Sequence, residues 1–130
     1  MASDKTLAED ETTCKDADKF AKLFYDALDR KRSKMNFLYV DESTLVWNGN
    51  PVCGVENITK FLEALPQTTH NIVSMDAHAI NGPNAQQCIV VLSVGNVNIG
   101  GTTHAFSQTL ILVIDDEKYK IKSDRFRFID

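Results

Sequence analysis

Cysteine is scarce in this 130-residue sequence: Cys14, Cys53 and Cys88 are odd in number, widely spaced and form no C-x-x-C pair. That argues against a disulfide framework, a cysteine-built zinc site and dithiol redox chemistry; three reduced thiols in a cytosolic or nuclear protein are expected. Long apolar runs are missing too. The longest, residues 110–114 (LILVI), is far below the roughly 20 residues of a membrane-spanning helix. The amino terminus, MASDKTLAEDETT, has neither the basic flank nor the apolar stretch of a secretory signal. A soluble intracellular chain with no membrane partner is the expectation. Positive charge is in deficit, with 14 Lys and Arg against 18 Asp and Glu and a net charge of -4. Such a field repels phosphate backbones, so direct nucleic-acid binding is not expected. H-E-x-x-H, G-x-S-x-G, P-loop and GxGxxG motifs are all absent, and no catalytic residue, metal ligand or cofactor is assigned.

What is present fits one globular domain over residues 1–130, with 43% hydrophobic and 25% charged residues and a polar stretch at 1–10 expected to fray. Ala17, Phe20, Ala21, Phe24 and Leu28 recur at helical spacing and make one apolar stripe. Thr12 or Thr13 is placed to cap that helix. The basic run RKRSK at residues 30–34 reads as its solvated end, with a nuclear-localisation or RNA patch as the alternative. Met35, Phe37, Leu38 and Tyr39 form a short hydrophobic segment leading to a strand at Thr44–Asn48. Asn48-Gly49 then predicts a tight hairpin with Pro51 at an edge, closed by Gly54. Val55, Ile58, Phe61, Leu62 and Leu65 give a second helical stripe, stopped by Pro66.

After Pro66 the sequence alternates. Strands are expected at 68–80, 86–99, 103–114 and 118–129, with turns at 81–84, Gly100-Gly101 and Asp115-Asp116. Helices first and strands after predict an α+β fold in which a curved antiparallel sheet packs against N-terminal helices. The strand from Gln86 is apolar on both faces: Cys88, Val90, Leu92 and Val94 point one way, Ile89, Val91, Gly95 and Val97 the other. Helices can cover one face only, so the other is expected to be an association surface.

Residues able to do acid–base work are Tyr25, Asp26, His70, Asp76, His78 and Asp124; without a motif, they read as rim residues or satisfied hydrogen-bond partners. Trp47 reads as core or pocket wall. Arg125 and Arg127 project to one face of the last strand while Phe126 and Phe128 project to the other. An arginine on an otherwise apolar sheet face suits a bidentate pair with a partner's carboxylate, which makes Arg127 the first candidate for a partner contact.

Taken together, FYDALDRKR, LYxxxxTLVWNGN, GxxxIxxFLxxLP, HxIxxxDAH and SDRFRF, spread over residues 16–128, resemble the nuclear transport factor 2 family. The resemblance implies a cone-shaped α+β fold and pairing of two such domains through their sheet faces. It is strongest to the family's export branch. That implies a heterodimer with the matching domain of the mRNA export receptor TAP, indirect contact with Phe-Gly nucleoporins and mRNA through the receptor, and shuttling between nucleus and cytoplasm through the pore. Carried over, the interface falls on Arg127 and Leu92, with Val90 and Val94 beside it; Arg125 and His70 complete the set, and Trp47 is a pocket wall. The import branch carries the GDP form of the GTPase Ran on carboxylates after its tryptophan and at a strand turn. Here Asn48 and the turn Asn98–Gly101 stand at those places, which argues against Ran carriage. The acid–base set of the family's dehydratases and isomerases is not assembled.

Overall fold

A computed structural model describes residues 4–81 and 87–130, with side chains described for 11–80 and 87–130. The turn expected at 81–84 and the strand start expected at Gln86 fall, beyond Asn81, outside the described residues.

Helix α1 spans Asp4–Arg30 and is therefore longer than the stripe alone suggests. Residues 4–13 contain no proline or glycine and place acidic groups near the helix start, so nothing stops the helix at Thr12 or Thr13. The stripe itself is buried as expected: Ala17, Phe20, Ala21, Phe24 and Leu28 all face the core. Burial of each Phe or Leu there contributes about 1.5–3 kcal/mol before entropy is counted. A 3-10 helix, Arg32–Leu38, follows and buries Met35 and Leu38, while Phe37 is left 68% exposed.

Within the basic run, Arg32 is half-buried and bonded to the chain rather than free in solvent. Its guanidinium donates to the carbonyls of Leu65 and Pro66 and to Thr68 Oγ1 (3.3 Å), and its Nε donates to Leu28 O at 3.0 Å. One arginine thus fastens the end of α1 to the segment leading into the third strand. Sequence reasoning missed it because the acceptors are backbone carbonyls distant in the chain.

Strands β1 (Tyr39–Trp47) and β2 (Asn50–Cys53) form the expected hairpin, with Trp47 opposite Asn50 and both loop residues at positive φ, 48° for Asn48 and 86° for Gly49. Helix α2 (Val55–Ala64) buries Ile58 and Leu62 against β1 and the 3-10 helix. Four long strands follow: β3 (Thr68–Asn81), β4 (Gln87–Ile99), β5 (Thr102–Asp115) and β6 (Lys118–Phe128). The sheet order is β2-β1-β6-β5-β4-β3, which leaves Pro51 on an edge strand as expected. The last turn sits one residue later than expected, at Asp116 and Glu117, both at positive φ.

The sheet is not purely antiparallel. β1 lies parallel to β6, pairing Leu45 with Asp124 and Trp47 with Phe126. A parallel neighbour needs a long crossover, supplied here by α2 and the whole β3–β6 meander. The inner face, carrying Ile89, Val91, Val97, Phe106, Leu110, Leu112, Ile121 and Phe126, packs with the α1 stripe into one core.

β3 bends at a register shift between Ile72 and Ser74, which leaves Val73 as the extra residue, 68% exposed. Gly95 lies opposite Ile72, and a Cβ built on it would sit 2.1 Å from the Asn71 carbonyl oxygen. Only glycine tolerates that backbone approach. Gly95→Ala is expected to lower stability by about 1–3 kcal/mol through forced backbone displacement. Chemical denaturation measures it, and an unchanged midpoint would show that β3 can move away freely.

Candidate functional site

Because opposed residues in neighbouring strands share a face, the register defines rows across the sheet. On the open face, Asp76, Leu92, Thr109, Arg125 and Val46 form one row; Ser74, Val94, Ser107 and Arg127 form the next; His78, Val90, Ile111 and Ser123 form a third. The helices pack on the opposite face. Leu92 is 44% exposed, with Val90, Val94 and Ile111 half-buried around it. The open face is therefore an apolar centre on β4 and β5, bordered on β6 by two exposed arginines that form no ion pair among the described residues.

His70 does not belong to this surface. Its side chain is only 1% exposed and turns to the inner face, where Nδ1 meets Asp29 Oδ1 at 2.7 Å. The His70 backbone N–H donates to Asp29 Oδ2 (2.9 Å), and Thr68 Oγ1 donates to Asp29 Oδ1 (2.8 Å). Burial alone would raise the Asp29 pKa, but these hydrogen bonds outweigh it and hold the carboxyl below its ordinary value. The pair joins the end of α1 to β3, and the His70 ring packs between Tyr25 and Phe106 at centroid distances of 5.0 and 5.4 Å. A partner-contact role for His70 is thereby corrected: the even-numbered positions before the bulge face the core.

Trp47 is half-buried and packs among aromatic rings. Its indole stacks on Phe126 at 4.0 Å and 7° and meets Phe61 and Phe128 edge-on.

The acid–base candidates are split between the faces. Asp26 lies beside Arg30 and Lys31 on the exposed flank of α1, and Asp76 and His78 sit on the open face. Only Tyr25, His70 and Asp124 gather inside, with Asp29, Tyr39 and Gln108, which sequence reasoning did not single out. Tyr25 OH donates to Gln108 Oε1 (2.8 Å), Gln108 Nε2 to Asp124 Oδ1 (2.8 Å), and Tyr39 OH to Asp124 Oδ2 (2.7 Å). Burial pushes the Asp124 carboxyl up to about 6, against the lowering effect of its two donors. Burial also raises the Tyr39 phenol, and the neighbouring Asp124 charge adds to it. Each member of this chain satisfies another, an arrangement that fixes the inner face.

A family profile for the nuclear transport factor 2 (NTF2) domain matches residues 16–128. The chain belongs to the nuclear transport factor 2 family. An NTF2-related export protein of Caenorhabditis elegans is 43% identical over 126 residues, 94% of this chain and 92% of that protein. The nuclear transport factor 2 of Candida glabrata is 28% identical over 113 residues, 85% of this chain and 90% of its own. Among solved structures, a chain of the C. albicans Mtr2–Mex67 M domain complex superposes with a TM-score of 0.73 at 18% identity, covering 90% of this chain and 96% of that one. The NTF2 fold expected from the sequence is thus present.

Within this NTF2 fold, Asn48 has structural work. Its side-chain Oδ1 accepts the Phe128 N–H at 2.8 Å and its own N–H donates to Phe126 O at 2.9 Å, extending the β1–β6 ladder past Trp47. An aspartate could accept the same bond, so this hydrogen bond does not by itself account for the neutral residue after the tryptophan.

The interior carboxyl makes a pH prediction. Since the folded Asp124 pKa (about 6) lies above the ordinary 3.8, its contribution to stability is complete below about pH 4 and is lost as pH rises through about 6. Asp124→Asn, which cannot ionise, should show a smaller fall in Tm than the wild-type chain between about pH 4 and pH 7. Equal falls in the two proteins would mean that Asp124 ionises as readily folded as unfolded.

Proposed function

We propose that this chain is a non-enzymatic mRNA export cofactor that heterodimerises with the NTF2-like domain of an export receptor of the TAP kind. The observation that carries the proposal is the open sheet face: exposed Leu92 among half-buried Val90, Val94 and Ile111, beside Arg125 and Arg127, which form no ion pair among the described residues. A sheet face of this composition commonly marks a surface that another chain covers. The kind of cover is argued from kinship, since the NTF2-related export protein is 43% identical and the nuclear transport factor 2 of Candida glabrata 28%. The Mtr2–Mex67 complex supports the same direction by showing this fold in company with a second chain. On this reading Arg127 pairs with a carboxylate of the receptor domain, Leu92 inserts at the centre of the interface, and nucleoporins and mRNA are reached through the receptor as the complex shuttles through the nuclear pore.

Co-expression with the NTF2-like domain of the export receptor from the same organism tests this. Arg127→Glu is expected to weaken the complex by about 2–5 kcal/mol, the range for breaking a hydrogen-bonded interfacial charge pair. Leu92→Asp should abolish co-purification while leaving the far-UV spectrum of the chain unchanged. Undiminished co-purification of both variants would refute the assignment of this face. Binding to Ran in its GDP form with no binding to the receptor domain would turn the reading to the import branch.

A further inference from the structure

The open face is electrically asymmetric. Its β6 side carries Arg125 and Arg127, its β3 side carries Asp76, and Leu92 and Thr109 lie between them in the row that joins Asp76 to Arg125. With strands about 4.8 Å apart, the three steps from β3 to β6 separate these charges by about 14 Å. That exceeds the Debye length of about 8–10 Å at physiological salt, so in water they hardly neutralise each other. The Asp76 carboxylate is exposed, uses Oδ1 to accept the Ala77 N–H at 3.0 Å, and forms no ion pair among the described residues. Its Oδ2 is left for an outside donor.

We propose that Asp76 sets the orientation of the partner, which presents a lysine or arginine against β3 and its acidic residues against β6. The inference rests on the heterodimer reading and adds to it the polarity of docking. The apolar centre alone does not distinguish one docking direction from its reverse, because hydrophobic contact is non-directional. The two charged borders do. In the productive orientation both borders meet opposite charge; turned by half a revolution, the partner sets acid against Asp76 and base against the arginines. That like-charge juxtaposition costs several kcal/mol, so Asp76 acts largely by excluding the reversed complex. Asp76 is thus a specificity determinant at the rim, while the central contacts supply most of the affinity.

The experiment measures binding of the full chain to the receptor's NTF2-like domain by calorimetry at low and high salt. Asp76→Lys is expected to weaken binding about tenfold or more at low salt, with the deficit shrinking at high salt. Asp76→Asn should lose less, because it removes an attraction without adding a repulsion. A charge reversal at the facing basic residue of the receptor domain should restore binding to Asp76→Lys. Unaltered affinity of Asp76→Lys at low salt overturns the inference and leaves the heterodimer standing. Failure of the wild-type chain to bind removes the proposed function and this inference with it. Should Asp76→Lys fold poorly, the salt dependence of Asp76→Asn decides: a slope equal to wild type overturns the proposal.

Discussion

A sheet with two apolar faces and helices on only one of them is the constraint on which the rest depends. β4 sets it: Ile89, Val91 and Val97 are buried against the helical side, while Val90, Leu92 and Val94 stand on the other side with Leu92 exposed. The inner face gains its stability within the chain, from the α1 stripe and the aromatic residues of β5 and β6. The open face has no such cover. A domain built this way is complete as a fold while part of its apolar surface stays exposed, the kind of surface that commonly marks an association site.

The inner face is held by polar groups as well as by packing. Asp29 and His70 join the end of α1 to β3, Arg32 fastens the α2–β3 connection, and the Tyr25–Gln108–Asp124–Tyr39 chain crosses the core from α1 to β6 and β1. In a low-dielectric interior, a polar chain that satisfies itself favours one arrangement of the elements over others. The same residue types could perform acid–base chemistry on an open cavity. Here the carboxylate with the raised pKa already accepts two hydrogen bonds from its neighbours. The interior therefore positions the open face: Asp124 on the inside of β6 lies between Arg125 and the Ser123 row on the outside, so fixing one side of the strand fixes the other.

Much of this was legible in the sequence because the responsible signals are local. The α1 stripe repeats at helical spacing, Asn48-Gly49 specifies its own turn, and β4 declares two apolar faces within a dozen residues. The parallel β1–β6 pairing was not legible, since it joins segments about 80 residues apart with no local mark. The Arg32 contacts were hidden for the same reason, and the basic run around it pointed to solvent. His70 was misplaced among interface residues because its alternation is blurred by the bulge at Val73. Gly95 carried a signal that could have located that bulge: a glycine inside an apolar strand often marks close backbone approach. Alternation gave the face of each residue within its own strand, and the register adds that Arg125, Arg127, Leu92, Val90 and Val94, the proposed interface residues, share one face of the sheet.

On the proposed reading, the surface charges bear on how such a subunit chooses among partners of its own fold, because an apolar centre alone would permit many pairings. Discrimination must come from groups that are costly to leave unpaired, and those sit at the borders of the face. If the open face is the interface we propose, Arg125 and Arg127 on β6 call for acid and Asp76 on β3 for base; a partner lacking either would leave a charge partly desolvated with nothing to meet it. The turn residues Asn48 and Asn98 act in the other direction, since both spend their side chains on the chain itself, on Phe128 N–H and on Gly101 N–H and Thr103. These two turn side chains are thus neutral and satisfied within the chain, whereas Arg125, Arg127 and Asp76 on the open face form no ion pair among the described residues, a contrast that supports the open face as the place of association.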